Sequence, residues 1–294
     1  MTARLLELTP KASTIYGEDD LSNERTASTA TSDVSKEATL KALYESIAAT
    51  RDPNTTASDF RLRELEMDLG TEHIRDGDRV LDVGCGPGVA VTTYATRRRA
   101  QVEGLDYAAN MVEFARERAA AEFAGLPVSF HHGSVTELPF ADDTYDVVTS
   151  HRCLMALLDW NRQKVALDEI ARVLKPGGTL VLMEGTKDGL DKLNAYRRAF
   201  SLSEIDAGGT DRLLTLKFDE KVLLDYVFHR FELLRVQRFG MYYFLTRIVQ
   251  PLLVAPESPR YDHRLNEIAR QIARVLPDFE GIGHLVGFCL RKRT

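Results

Sequence analysis

Three groups of residues have types and spacing that could do chemistry. The run Val80-Leu81-Asp82-Val83-Gly84-Cys85-Gly86-Pro87-Gly88-Val89-Ala90 carries an apolar segment into a turn with glycine at alternate positions, and helix-like sequence follows. Glycine lacks a Cβ and tolerates positive φ, so backbone in such a turn can approach a ligand closely. The unpaired N–H groups at the start of the next helix add donors. Val102-Glu103-Gly104-Leu105-Asp106 reads as a second strand ending in a carboxylate, where a ribose diol could be held. His151 can take up a proton near neutral pH, and Glu184 is a second candidate base or a binder of a substrate amine. The implied chemistry is a nucleoside cradle with proton acceptors beside it. A bare alternation of glycines also fits a tight turn with no ligand. Val89 stands where a dinucleotide loop needs its third glycine, which argues against NAD and FAD.

The loop resembles the S-adenosylmethionine loop of class I methyltransferases. The resemblance continues through His132-Gly133-Ser134-Val135-Thr136-Glu137-Leu138-Pro139-Phe140, Tyr145-Asp146-Val147-Val148-Thr149-Ser150 and Leu174-Lys175-Pro176-Gly177-Gly178-Thr179-Leu180-Val181-Leu182, in the family's order. It spans about residues 70–185 and is specific in combination. It implies S-adenosylmethionine as cofactor and assigns roles by position. Asp82 would hold the methionine ammonium, or else brace the loop. Gly84, Cys85, Gly86 and Gly88 would line the amino-acid and ribose parts through their backbone. Asp106 would accept both ribose hydroxyls, with a helix N-cap as the competing role and Asn110 as an alternative cap. Tyr107 and Met111 would border the adenine, although Met111 equally suits helix packing. Gly133, Ser134 and Val135 occupy the segment facing adenine N6. Ser134 stands where the family commonly has aspartate, a stronger acceptor, which shifts weight to the Val135 backbone. Ser150 and His151 would face the reactive end.

Methyl transfer is an in-line displacement at the sulfonium methyl, with a neutral thioether leaving. The protein must align the partners and exclude water. A base helps only when the nucleophile must shed a proton. His151 is the first candidate; ordering the loop or contacting the cofactor carboxylate are its other roles. Glu184 is the second. Arg152, Arg61, Arg63, Arg197 and Arg247 could select an acidic substrate or simply face solvent. Met241-Tyr242-Tyr243-Phe244 could wall a substrate pocket or pack a core. His263 and His284 read as structural, and His131 and His132 lie toward the adenine side.

The elements that must position these residues follow from periodicity. Strands are expected at 79–83, 102–105, 128–131, 145–150 and 179–183, alternating with helices at 89–97, 110–122 and 160–174, the last capped by Asp159. That alternation means a parallel sheet covered on both faces, with ligands at the strands' carboxyl ends. Helices at 36–50 and 58–69, the latter capped by Ser58 or Asp59, precede the sheet and could cover the pocket. Helices follow at 188–200 and 219–229 and strands at 231–239 and 284–290; the resemblance makes these strands six and seven, the last antiparallel. The expected fold is therefore α/β: a seven-stranded, mostly parallel, doubly wound sheet of class I methyltransferase type, with N-terminal helices and a helical insertion near the C-terminus. The division is a tail at 1–35, disordered or acting as a lid, with Ile15-Tyr16-Gly17 able to order over a ligand; a helical cap at 36–70; and the main domain at 71–294. The insertion occupies about 241–283, and its helix near 262–276 has Leu265, Ile268, Ala269, Ile272, Val275 and Leu276 on one face.

Composition bounds the rest. The chain has 294 residues, 44% of them apolar, and a formal charge of -6. Such a balance argues against nucleic acid as the substrate. Cys85, Cys153 and Cys289 form no C-x-x-C pair, so neither a metal site nor a disulfide framework is expected. No membrane span or signal-peptide pattern is read, and a cytoplasmic monomer or homodimer acting on a small molecule is expected. The resemblance implies transfer to oxygen or nitrogen. Action on protein or nucleic acid, or a non-methylating use of the same fold, are the competing readings.

Overall fold

The computed structural model describes residues 38–54, 56–205, 215–279 and 281–294. The 1–35 tail, with Ile15-Tyr16-Gly17, lies outside the described residues.

Seven strands form one sheet: β1 (Arg79–Val83), β2 (Gln101–Asp106), β3 (Val128–His132), β4 (Tyr145–His151), β5 (Leu174–Gly185), β6 (Phe231–Arg238) and β7 (Leu285–Lys292). Their order is β3-β2-β1-β4-β5-β7-β6, with β1 to β5 parallel and β7 antiparallel to both neighbours. The alternation read from the sequence thus yields the expected doubly wound sheet. Successive side chains point to opposite faces, so Val80, Val102 and Val147 enter one core while Leu81, Leu105 and Val148 enter the other. Both faces are covered, which is why adjacent positions are apolar at Val80-Leu81, Val147-Val148 and Leu180-Val181-Leu182-Met183.

One face packs against α2 (Phe60–Glu72), α3 (Val89–Arg97) and α4 (Ala109–Glu122); the other packs against α5 (Trp160–Val173) and α7 (Glu220–Val227). Asp59 caps α2 by accepting from the Leu62 amide, and Asp159 caps α5 by accepting from Asn161. Asn110 does not cap α4. Ala108 holds that position without a side-chain bond, and Glu45 of α1 (38–49) accepts from the Ala109 and Asn110 amides at 3.1 and 3.0 Å. A residue 64 positions upstream supplies the cap, which no local pattern shows. α1 also rests on Ala108 and Met111 through Tyr44, Ile47 and Ala48.

Beyond β5, α6 (Lys187–Ala199) precedes α7. The insertion begins as α8 (240–254), whose central turn Leu245–Val249 is π-helical, and continues as α9 (Arg264–Val275). Tyr242 and Tyr243 are fully buried core residues and do not wall a pocket. α9 buries Asn266 and Ala269 and leaves Ile268, Val275 and Leu276 exposed, so its apolar stripe is only partly covered. β5 begins at Leu174, earlier than expected, because Leu174 already pairs with Tyr145 and Lys175 to Gly178 then bulge out, with Gly177 at φ 77°, before pairing resumes at Thr179.

Candidate functional site

A cavity of about 610 Å³ opens at the carboxyl ends of β1, β2 and β4, where strand order reverses. Its size is ordinary for a small-molecule site. Gly84, Cys85, Gly86 and Pro87 form one wall, Asp106 and Tyr107 the next, and Gly133, Ser134 and Val135 the third.

The glycine turn is shaped by close packing. Gly84 has φ 69°, and a Cβ there would sit 2.5 Å from Cys153 Sγ. Gly86, at φ 50°, has only Thr56 nearby, at 3.8 Å, so its free side faces the cavity. Gly88, at φ 71°, stands against the Phe130 ring and starts α3 outside the cavity wall. The Cys85 sulfur lies over Gly104, leaving its backbone for the cavity; burial pushes this thiol's pKa up, as it does that of Cys153.

Asp106 accepts from the Gly86 amide through Oδ2 (2.8 Å) and from the Ala108 amide through Oδ1 (2.9 Å). Each oxygen keeps a second lone pair, so the carboxylate could still receive a vicinal diol. Burial raises its pKa despite those two amides. Tyr107 is 44% exposed at the rim, with the Lys41 ammonium 4.7 Å from its ring centroid. The Ser134 hydroxyl is 2.7 Å from that of Thr136 and also accepts from the Thr136 amide, so it serves its own turn. Met111 is buried against α1 and lies off the wall.

At the other end, His151 and Arg152 close β4 and line the cavity. Both imidazole nitrogens have protein partners: Nε2 lies 2.8 Å from the Tyr94 hydroxyl and Nδ1 3.4 Å from Glu66 Oε2. Asp82 Oδ1 accepts from the Thr149 hydroxyl at 2.7 Å and lies 3.9 Å from His151 Nε2. Burial raises the Asp82 pKa, against the pull of His151 and Thr149. Glu66 is fully buried yet held below the usual carboxylate range, because Arg152, His151 and Arg63 outweigh desolvation. Arg152 takes a left-handed φ of 58°, unusual outside glycine, and its guanidinium lies 3.2 Å from Glu66. Glu184 and Ser150 are fully buried and absent from the wall. Glu184 Oε1 accepts from the Ser150 hydroxyl (2.8 Å) and the Leu154 amide (2.9 Å), and Oε2 from the Met155 amide (3.0 Å). The carboxylate therefore braces the 3₁₀ turn Leu154–Ala156 and has no open route to a substrate.

Sequence reasoning gives the covering helices and Arg63, but not the apolar side chains of the roof. Leu40, Lys41 and Tyr44 of α1, Arg63 and Met67 of α2, and Leu157 and Leu158 after the 3₁₀ turn complete the enclosure. Tyr44 shows its effect, its pKa pushed up to about 12 by burial and by nearby Asp106. Leu40, Leu43, Tyr44 and Ile47 share one face by helical spacing, but which of them meets the cavity depends on how α1 lies across the loop. Glu66 has a weaker signal still, a charged residue at an apolar position of α2.

A family model described as a methyltransferase domain matches residues 80–178. Methyltransferase GfsG of Streptomyces halstedii is 37% identical over 116 residues, covering 38% of this chain and 41% of that protein. Demethylmenaquinone methyltransferase of Bacillus velezensis is 28% identical over 172 residues, 57% of this chain and 71% of that one. The chain thus spans under half of the first relative's length. One chain of the complex formed by the Haloferax volcanii Trm112 methyltransferase activator shares the fold, with TM-score 0.60 at 19% identity, covering 85% of this chain and 98% of that one. With the glycine turn, the carboxylate ending β2 and the antiparallel β7 in place, residues 80–178 match a methyltransferase domain, and the sheet around them has the class I methyltransferase fold.

Proposed function

We propose that this chain transfers the methyl group of S-adenosylmethionine to an oxygen or nitrogen of a small molecule in the cytoplasm. The observation that carries this is the enclosure of the cavity. The glycine turn and Asp106 stand on one side, while Leu40, Tyr44, Met67, Leu157 and Leu158 shut the other. A polymer needs an open face, whereas this arrangement suits a compact acceptor. The Bacillus velezensis relative is named for a small-molecule acceptor, demethylmenaquinone.

In this reading the Gly84, Cys85 and Gly86 backbone receives the cofactor's amino-acid and ribose parts, and Asp106 its diol. Gly133 and Val135 border the adenine. Asp82 faces the ammonium. Gly88 shapes the turn from behind. The cofactor supplies an electrophilic methyl on a good leaving group. The protein's own residues align the acceptor and keep water out under α1. His151 can act as a base only by giving up the Tyr94 or Glu66 contact, so acceptors with acidic protons or neutral amines suit the site best. The test is calorimetry with S-adenosylmethionine, followed by S-adenosylhomocysteine release over a panel of phenols, quinols and amines. Binding with turnover on at least one of them supports the reading. Failure to bind the cofactor removes it.

A further inference from the structure

His151 stands in the cavity wall, yet its ring is held from behind by two helices. Tyr94 of α3 is fully buried, and its hydroxyl lies 2.8 Å from His151 Nε2. It reaches that nitrogen because position 70 of α2 is glycine; a Cβ there would sit 2.1 Å from the Tyr94 hydroxyl oxygen. Among the described residues the hydroxyl has no second hydrogen-bond partner. The proton of a buried hydroxyl needs an acceptor, so Nε2 accepts it. The ring then carries its own proton on Nδ1, 3.4 Å from Glu66 Oε2. Asp82 does not compete for a proton on Nε2. Its Oδ1 is 3.9 Å away and already accepts from the Thr149 hydroxyl at 2.7 Å. Burial, with the charges of Asp82 and Glu66, pushes the Tyr94 pKa well up, which keeps that phenol a donor. Glu66, paired with Arg152 at 3.2 Å, stays an acceptor.

We propose that Tyr94 is a positioning residue that holds His151 as the neutral ring with its proton on Nδ1, and so withholds Nε2 from the methyl acceptor. In the transfer, a lone pair of the acceptor forms the new bond to the methyl carbon while the carbon–sulfur pair leaves with sulfur. With Nε2 engaged, a hydroxyl acceptor has to lose its proton to solvent before that step. Tyr94 therefore selects acceptors by acidity: an ionised phenol reacts, and a weakly acidic hydroxyl does not. This role of Tyr94 rests on the methyltransferase reading and sharpens its acceptor class.

The experiment is proton–nitrogen correlation NMR of the histidine rings in the isotope-labelled full chain and in Tyr94→Phe, with the His151 signals identified by their loss in His151→Gln. In the wild type, Nδ1 is expected to carry the proton and Nε2 to be bare. In Tyr94→Phe, which keeps the packed ring and loses the hydroxyl, the form with its proton on Nε2 is expected to appear. A wild-type proton on Nε2, or the same tautomer in both proteins, overturns the assignment. Should Tyr94→Phe fail to fold, Gly70→Ala crowds the hydroxyl away with Tyr94 in place and gives the same comparison. The second readout is S-adenosylhomocysteine release with para-nitrophenol and the less acidic para-methylphenol as acceptors. The wild type is expected to prefer the nitrophenol. That preference is expected to shrink about tenfold or more in Tyr94→Phe, whose freed ring can turn to the cavity and take the proton of the weaker acid. An unchanged or larger preference overturns selection by acidity. When the wild type methylates neither phenol, the tautomer alone upholds or overturns the role of Tyr94. Failure of the wild type to bind S-adenosylhomocysteine removes the methyltransferase reading instead, and is seen before any variant is compared.

Discussion

Asp106 spends one lone pair of each carboxylate oxygen on the amides of Gly86 and Ala108, so it both shapes the glycine turn and keeps acceptors free for a diol. Asp106→Asn is expected to weaken S-adenosylhomocysteine about tenfold or more by calorimetry, because an amide nitrogen replaces one acceptor and the charge is lost. An unchanged affinity would remove the ribose assignment. Glu184 was the residue most misread from sequence. Its type suits a base, but its oxygens are fully used on Ser150, Leu154 and Met155. Glu184→Gln is expected to cost ~1–3 kcal/mol in urea denaturation, since the new NH₂ group must face an amide donor or the Ser150 hydroxyl. Burial holds the Glu184 pKa above its usual 4.5, so its contribution to stability is full below about 4.5 and is lost as pH rises through the folded value. The gap between wild type and variant should therefore narrow as pH rises above about 4.5; a gap that widens with pH contradicts the assignment.

α1 covers the cavity through Leu40, Lys41 and Tyr44, and its hold on the rest of the fold is local. Glu45 bridges the first amides of α4, and Arg51 pairs with Glu117 at 3.2 Å near the surface, where such a pair adds little. Glu45→Ala should lose about 1 kcal/mol of capping. Amide exchange over residues 38–49 is then expected to quicken about fivefold while β1 to β5 keep their protection, because α1 opens without the sheet. Uniform protection across both regions would show that α1 is not an independent lid.

α2 carries Arg63, Glu66 and Met67 into the site and is tied to the insertion on its far side. Asp59 caps α2, receives the Tyr242 hydroxyl at 2.6 Å and pairs with the partly buried Arg247 of α8. Arg61, Glu64, Glu267 and Arg270 link α2 to α9. The insertion thus sets the position of one cavity wall without lining it. Asp59→Ala should cost ~3 kcal/mol or more, because Arg247 is left without its carboxylate. Denaturation midpoints measure this, and a cost below about 1 kcal/mol would show that the three-way contact contributes little.

The fold was legible in the sequence because its signals are local. Strand and helix periods alternate, Asp59 and Asp159 sit where caps belong, and the Gly84-to-Gly88 turn needs positive φ wherever it occurs. The cavity wall at the glycine turn was legible for the same reason, since Asp106 follows its strand directly. The rest was decided by tertiary structure. Burial turned Glu184 from a candidate base into a brace, and Tyr94 with Glu66 occupied both nitrogens of His151. The roof came from α1 and α2, whose side chains meet the loop across gaps of some tens of residues. Helical spacing fixes which residues share a face, but only packing fixes what that face meets; of four arginines with similar sequence settings, two are held by neighbouring carboxylates, Arg197 by backbone carbonyls, and Arg63 lines the cavity.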